Sequence, residues 1–201
     1  MNLNSKTTKG FTIIELVISI FILSVAVVGI FSAFSIMVVL TTNASDRLTA
    51  AYLGQEGIEI IRNIRDTNWL NMNAGVSGAT WLRNLDYCEA SEGCEADYTT
   101  GTNASAPWSI TPWAGGHYLY IDANGFYGYT PPPSPAVYTK FRRQIQLTQI
   151  TDVDGNTTTK HIVKVKVTVF WTEKPNLLNP TGTAGSIIVE EYFYDWYNFN
   201  G

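Results

Sequence analysis

The chain has 201 residues, 45% hydrophobic and 13% aromatic, enough for one compact domain plus an appendage, which excludes an intrinsically disordered segment. Its formal net charge of -4 and pI near 5.1 provide no global basic field, so no nucleic-acid partner is expected. His117 and His161 are the only histidines, the acids are scattered, and no nucleophile, zinc or phosphate-loop spacing occurs; no catalytic residue, cofactor or metal site is expected.

Residues 1–10, MNLNSKTTKG, are polar, with Lys6 and Lys9 and no acid. Residues 11–40 then read FTIIELVISIFILSVAVVGIFSAFSIMVVL, with Glu15 as the one charge and no proline. At about 1.5 Å per residue such a helix is roughly 45 Å long, more than the ~30 Å hydrocarbon core of a bilayer. The basic flank predicts a single pass with the N-terminus cytoplasmic. A secretory signal would place a short apolar region of about 7–15 residues before a small-residue cut; here the polar segment comes first, ends in Gly10, and the whole apolar run follows. A carboxylate in a membrane helix costs on the order of 2.5–3.5 kcal/mol at the bilayer centre and less near an interface, so Glu15 calls for a reason. Phe11 and Glu15, spaced i and i+4, are predicted to share one helix face.

KGFTIIELVISI resembles the leader and cleavage site of the type IV prepilin family. The resemblance implies cleavage by a prepilin peptidase between Gly10 and Phe11, N-methylation of Phe11, and a part for Glu15 in subunit assembly, its carboxylate drawn to the amine of a neighbour. It further implies other pilin subunits, pilus assembly machinery and the lipid bilayer as partners. The chain would start in the cytoplasmic membrane and end in an extracellular or periplasmic filament. A glycine suits a cut because its backbone lets a protease approach closely; the alternatives are a turn glycine before a membrane helix and a glutamate merely exposed to headgroups. Many pilins carry a proline about two-thirds through the apolar run; Ser32 stands near that place, with Gly29 the only helix-weakening residue close by. Loss of Lys6 and Lys9 with the leader would make the mature chain more acidic still.

Helical patterning continues over residues 41–67, with Ala50, Leu53, Gly57, Ile60, Ile61 and Ile64 on one side and Gln55, Glu56, Glu59, Arg62, Asn63 and Asp66 on the other. Gly54 and Gly57 would permit close approach of another element, or are tolerated at a cost of about 1 kcal/mol each. Residues 68–201 form a loop-rich domain with a C-terminal sheet. Its first half shows no sustained period and reads as loops with short strands, with His117 in a turn beside Gly115 and Gly116. Cys88 and Cys94 lie six positions apart, and an oxidising compartment would join them in a small disulfide ring; unpaired thiols are the alternative. Trp113, Tyr118, Tyr120, Phe126, Tyr127 and Tyr129 are either an exposed platform for sugars or bases or the buried aromatics of the domain. Pro131, Pro132 and Pro133 read as a stiff connection into the sheet.

A strand is predicted near residues 138–150, a turn at 152–156, and a second strand in HIVKVKVTVFW, where Val163, Val165, Val167 and Val169 alternate with Lys164, Lys166 and Thr168. A third antiparallel strand is predicted near 186–196, and His161 is placed on the hairpin surface. Asp152 to Asn156 has too few ligands for calcium and reads as the hairpin turn. Glycosylation sequons occur at Asn43, Asn103 and Asn156. The expected fold is α+β, a long N-terminal helix packed on a C-terminal antiparallel sheet and similar to the pilin fold. The expected function is that of a structural subunit, a minor pilin, with a type II secretion pseudopilin or a simple membrane-anchored surface domain as alternatives.

Overall fold

The structure, a computed structural model, describes residues 10–100, 110–129, 137–150, 161–175 and 181–196. Lys6, Lys9, Asn103, Asn156, the proline run and the turn expected at 152–156 lie outside the described residues.

One helix, α1 (Ile13–Asn73), organises the chain. It opens at Thr12, an extended residue whose hydroxyl accepts the Glu15 N–H at 3.3 Å, as an N-cap should. The helix runs past residue 67 because its last turns are tied into the domain. Asn68 Nδ2 donates to the carbonyls of Trp81 and Arg83, and Trp69 Nε1 donates to Asp195. It ends where Ala74 caps it and Gly75 takes a positive φ of 71°.

The α+β arrangement expected from the sequence is the one observed, a long helix on an antiparallel sheet. The main sheet contains β1 (Cys94–Glu95), β2 (Thr111–Pro112), β6 (Arg142–Ile150), β7 (Ile162–Thr172) and β8 (Ala184–Tyr194), in the order β2-β1-β6-β7-β8. A smaller sheet has the order β4-β3-β5, from β3 (Tyr120–Ile121), β4 (Tyr127–Gly128) and β5 (Val137–Tyr138). The single strand predicted over 138–150 is therefore two. The chain changes sheets at residues 139–141, where Thr139 N–H donates to the Leu119 carbonyl and Leu119 N–H donates to that of Phe141. The loop-rich middle also contains a short helix, α2 (Asp86–Glu89).

Register explains the core. Ile145 pairs with Val167 and Val167 with Val189, so the inward row of β7, Val163, Val165, Val167 and Val169, is fully buried. Ala50, Leu53, Ile61 and Ile64 of α1 are buried within the same core, each large aliphatic contributing about 1.5–3 kcal/mol on burial. Close approach depends on two glycines. A β-carbon on Gly57 would lie 2.9 Å from Val167 Cγ1 and 3.1 Å from Arg143 Cδ, and one on Gly54 would lie 2.7 Å from Val189 Cγ2. A β-carbon on Gly29, in the apolar half, would meet nothing.

Alternation fails at one inward position of β6. Arg143 is completely buried, and its guanidinium donates to the carbonyls of Leu53 at 3.1 Å and Ala96 at 2.8 Å, with Glu56 Oε2 at 3.3 Å. A buried charge persists only when paired and hydrogen-bonded, so this side chain ties α1, β6 and the segment after β1 together. Tyr129 covers it, donating from its phenol to the Arg143 carbonyl, and burial pushes that phenol well above its ordinary pKa.

Overpacking costs typically 1–3 kcal/mol, against about 1 kcal/mol gained by replacing a helical glycine with alanine. Gly57→Ala should therefore lower unfolding stability by about 1 kcal/mol, the middle of the difference between those figures, whereas Gly29→Ala should not lower it; thermal denaturation of the two variants checks this.

Candidate processing and assembly site

The N-terminal segment is built for access. Gly10 and Phe11 precede the cap and are exposed, Phe11 at 77%. A β-carbon on Gly10 would meet nothing within 4 Å, so the fold itself does not require glycine there. Phe11 precedes the Thr12 cap and so lies outside the helix, where the i, i+4 expectation placed it within the first turn.

Glu15 lies in the first turn, where the positive end of the helix dipole favours a carboxylate. Among the described residues its carboxylate has no hydrogen-bonding or ionic partner. Several hydroxyls along the helix bond back to it: Ser19 and Ser24 donate to the carbonyls of Glu15 and Ile20 at 2.7 and 2.8 Å, and Thr41 and Thr42 to those of Met37 and Val38. Lipid offers no replacement partner, so hydroxyls in an apolar helix bond back to it. Every residue from 10 to 38 is exposed, and this stretch of α1 is long and apolar enough to cross a membrane.

The domain takes hold of α1 only at Asp46, the first buried residue of the helix. Two adjacent residues of opposite charge make the grip: Asp46 pairs with Lys140, and Arg47 with Glu173 at 3.0 Å. Arg47 is largely exposed, so its pair is screened by water and contributes little. Asp46 is enclosed, and its pair anchors the helix to the turn before β6. Neither pair, nor Arg143, was singled out by sequence patterning; the one available signal was the pair of opposite charges soon after the apolar run ends.

The remaining candidates fall far from the N-terminus. Cys88 and Cys94 are bonded, fully buried and 4.5 Å apart at Cα, joining α2 to β1. The loop between them lies on the outer row of β6, where Gln144 and Gln146 donate to the carbonyls of Glu92 and Ser91. His117 is exposed, with its backbone N–H and ring Nδ1 at 2.6 and 2.7 Å from the buried Glu95 carboxylate. The aromatics divide: Tyr129 packs half-buried against the core, Trp113 lies half-buried against Phe170, and Tyr118 and Phe126 are exposed. Asn43 lies within α1 and is half-buried. Among the described residues no group of three or more histidine, cysteine or acidic side chains could hold a metal.

The prokaryotic N-terminal methylation motif matches residues 5–31. No curated protein and no solved structure matches the chain. The chain thus carries the signature of type IV pilins and pseudopilins, which supports a pilin-like substrate of prepilin peptidase. Its helix-on-sheet architecture is pilin-like as well.

Closing so small a ring lowers the entropy of the unfolded chain by an amount worth about 2 kcal/mol. Cys88→Ala with Cys94→Ala should cost roughly that much in unfolding stability, read by thermal or denaturant melts, while α1 helicity by circular dichroism stays unchanged.

Proposed function

We propose that the protein is a filament subunit of the type IV pilin class, a minor pilin, released from its leader between Gly10 and Phe11 and N-methylated at Phe11. The observation that carries this reading is the state of α1 from Ile13 to Val38, wholly exposed and apolar, with Glu15 alone unpartnered at its start. Such a surface has two homes that avoid water, the bilayer and a bundle of like helices. The subunit occupies them in turn, first as a single-pass protein with its N-terminus in the cytoplasm, then in the filament. A plain membrane anchor accounts for the apolar run and leaves two features without a reason: a glycine that the fold does not need, and a carboxylate that the helix does not satisfy.

Cleavage supplies the missing partner. Hydrolysis after Gly10 creates an amine at Phe11 that stays cationic after methylation, and Glu15 of an incoming subunit is its counter-charge in a low-dielectric setting. The choice of a minor pilin rests on the loop-rich insertion between α1 and β6 and on the Cys88–Cys94 ring within it.

Glu15→Val should leave membrane insertion and cleavage intact and reduce the amount in sheared filaments at least about tenfold, the factor equivalent to about 1.4 kcal/mol. Incorporation at the wild-type level would remove Glu15 from the mechanism. Absence of the wild-type chain from the filament fraction would overturn the subunit reading itself.

A further inference from the structure

At the end of α1 farthest from the apolar half, the last turns of the helix and Trp196, two residues past β8, enclose an open cleft of about 590 Å³, lined by Arg65, Asp66, Trp69, Leu70, Asn73 and Trp196. Trp196 is 61% exposed and meets the buried Trp69 edge-on, with ring centroids 4.6 Å apart and planes 61° apart. Trp69 is held rigidly: its Nε1 donates to Asp195, and the Arg65 guanidinium lies 4.4 Å from its ring and 4.5 Å from that of Phe193. A fixed tryptophan therefore supports a second one whose ring is left in water, where an apolar surface of that size is costly.

The polar groups around that ring are the ones a sugar needs. Both Arg65 hydrogen bonds to Asp66 end on Oδ1, at 2.8 and 3.0 Å, so Oδ2 has no donor among the described residues. The Asn73 amide, which is exposed, and the Trp196 Nε1 likewise have no partner there. Arg65 is paired with Asp66, so an anionic ligand finds no net positive charge, and a purely aliphatic one would desolvate Asp66 and Asn73 without replacing their water. A pyranose meets every condition: its C–H face stacks on an indole, and its hydroxyls both donate and accept. The volume lies within the range of small-molecule sites and suits a short, uncharged saccharide.

We propose that this cleft is a binding site for a neutral saccharide, with Trp196 as the stacking platform and Asp66 and Asn73 as hydroxyl partners. The site uses no residue of the N-terminal segment, so it is independent of filament assembly.

The test uses the full chain in a zwitterionic detergent that has no sugar headgroup, with maltotriose, chitotriose and lactose as probes in saturation-transfer NMR. Transfer to the ring protons of at least one probe is expected, reduced about fivefold or more in Trp196→Ala and in Asn73→Ala, and unchanged in Tyr138→Ala, an exposed aromatic of the smaller sheet. Thermal melts show whether Trp196→Ala remains folded; if it does not, Asn73→Ala, at an exposed position, decides the outcome. Transfer to none of the three saccharides, undiminished transfer in Asn73→Ala, or transfer to hexanol with none to the sugars would each overturn the proposal.

Discussion

Half of the long helix has no cover from its own chain, and the rest of the molecule follows from that fact. Residues 13–38 present Ile, Leu, Val and Phe on every side of α1, and the domain begins to enclose the helix only at Asp46. An amphipathic helix solves its solvation problem within the fold; one that is apolar all round must find another phase or another copy. The hydroxyls of Ser19, Ser24, Thr41 and Thr42 bond back to the helix, so they keep their partners whether lipid or protein surrounds it. Glu15 is the one charged side chain between residues 11 and 40, and a lone charge in an apolar surface is where a partner's charge has the largest effect.

The domain's grip on the helix is dense and short. Gly54 and Gly57 bring α1 so near to β7 and β8 that valine methyls occupy the space of a side chain. Arg143 then joins the backbone at Leu53 to that at Ala96, and the Asp46–Lys140 pair fixes the lower edge. Together these contacts mount the sheet on one end of α1 and leave the other end uncovered. β8 lies at the open edge of the sheet, and Glu190 and Glu191 stand along it, with Glu191 turned in to Arg62. Charges on an edge strand discourage uncontrolled strand pairing.

What the sequence made legible was what depends on local period. The valine row of β7, the buried side of α1 and the helix-before-sheet order all come from spacings of 2 and 3.6 residues. The N-terminal motif was legible for a different reason, since glycine, aromatic, apolar run and early glutamate stand in one short stretch. Features set by distant partners were hidden. Arg143 occupies an apolar position in the β6 alternation because carbonyls 90 and 47 residues away receive it. The break between β5 and β6 arises from Leu119, which claims both Thr139 and Phe141. Phe11 falls outside the helix because the Thr12 hydroxyl accepts the Glu15 N–H as an N-cap, and the helix starts at Ile13.

The central claim is that the chain is made to be cut at its N-terminus and retained by its apolar helix. Intact mass and N-terminal sequencing of the protein co-expressed with a prepilin peptidase address it directly. The account predicts a chain that starts at Phe11 and carries one added methyl group. A chain still starting at Met1 would contradict processing and leave a plain anchor, and a start beyond Leu40 would mean that the apolar helix is itself a discarded signal.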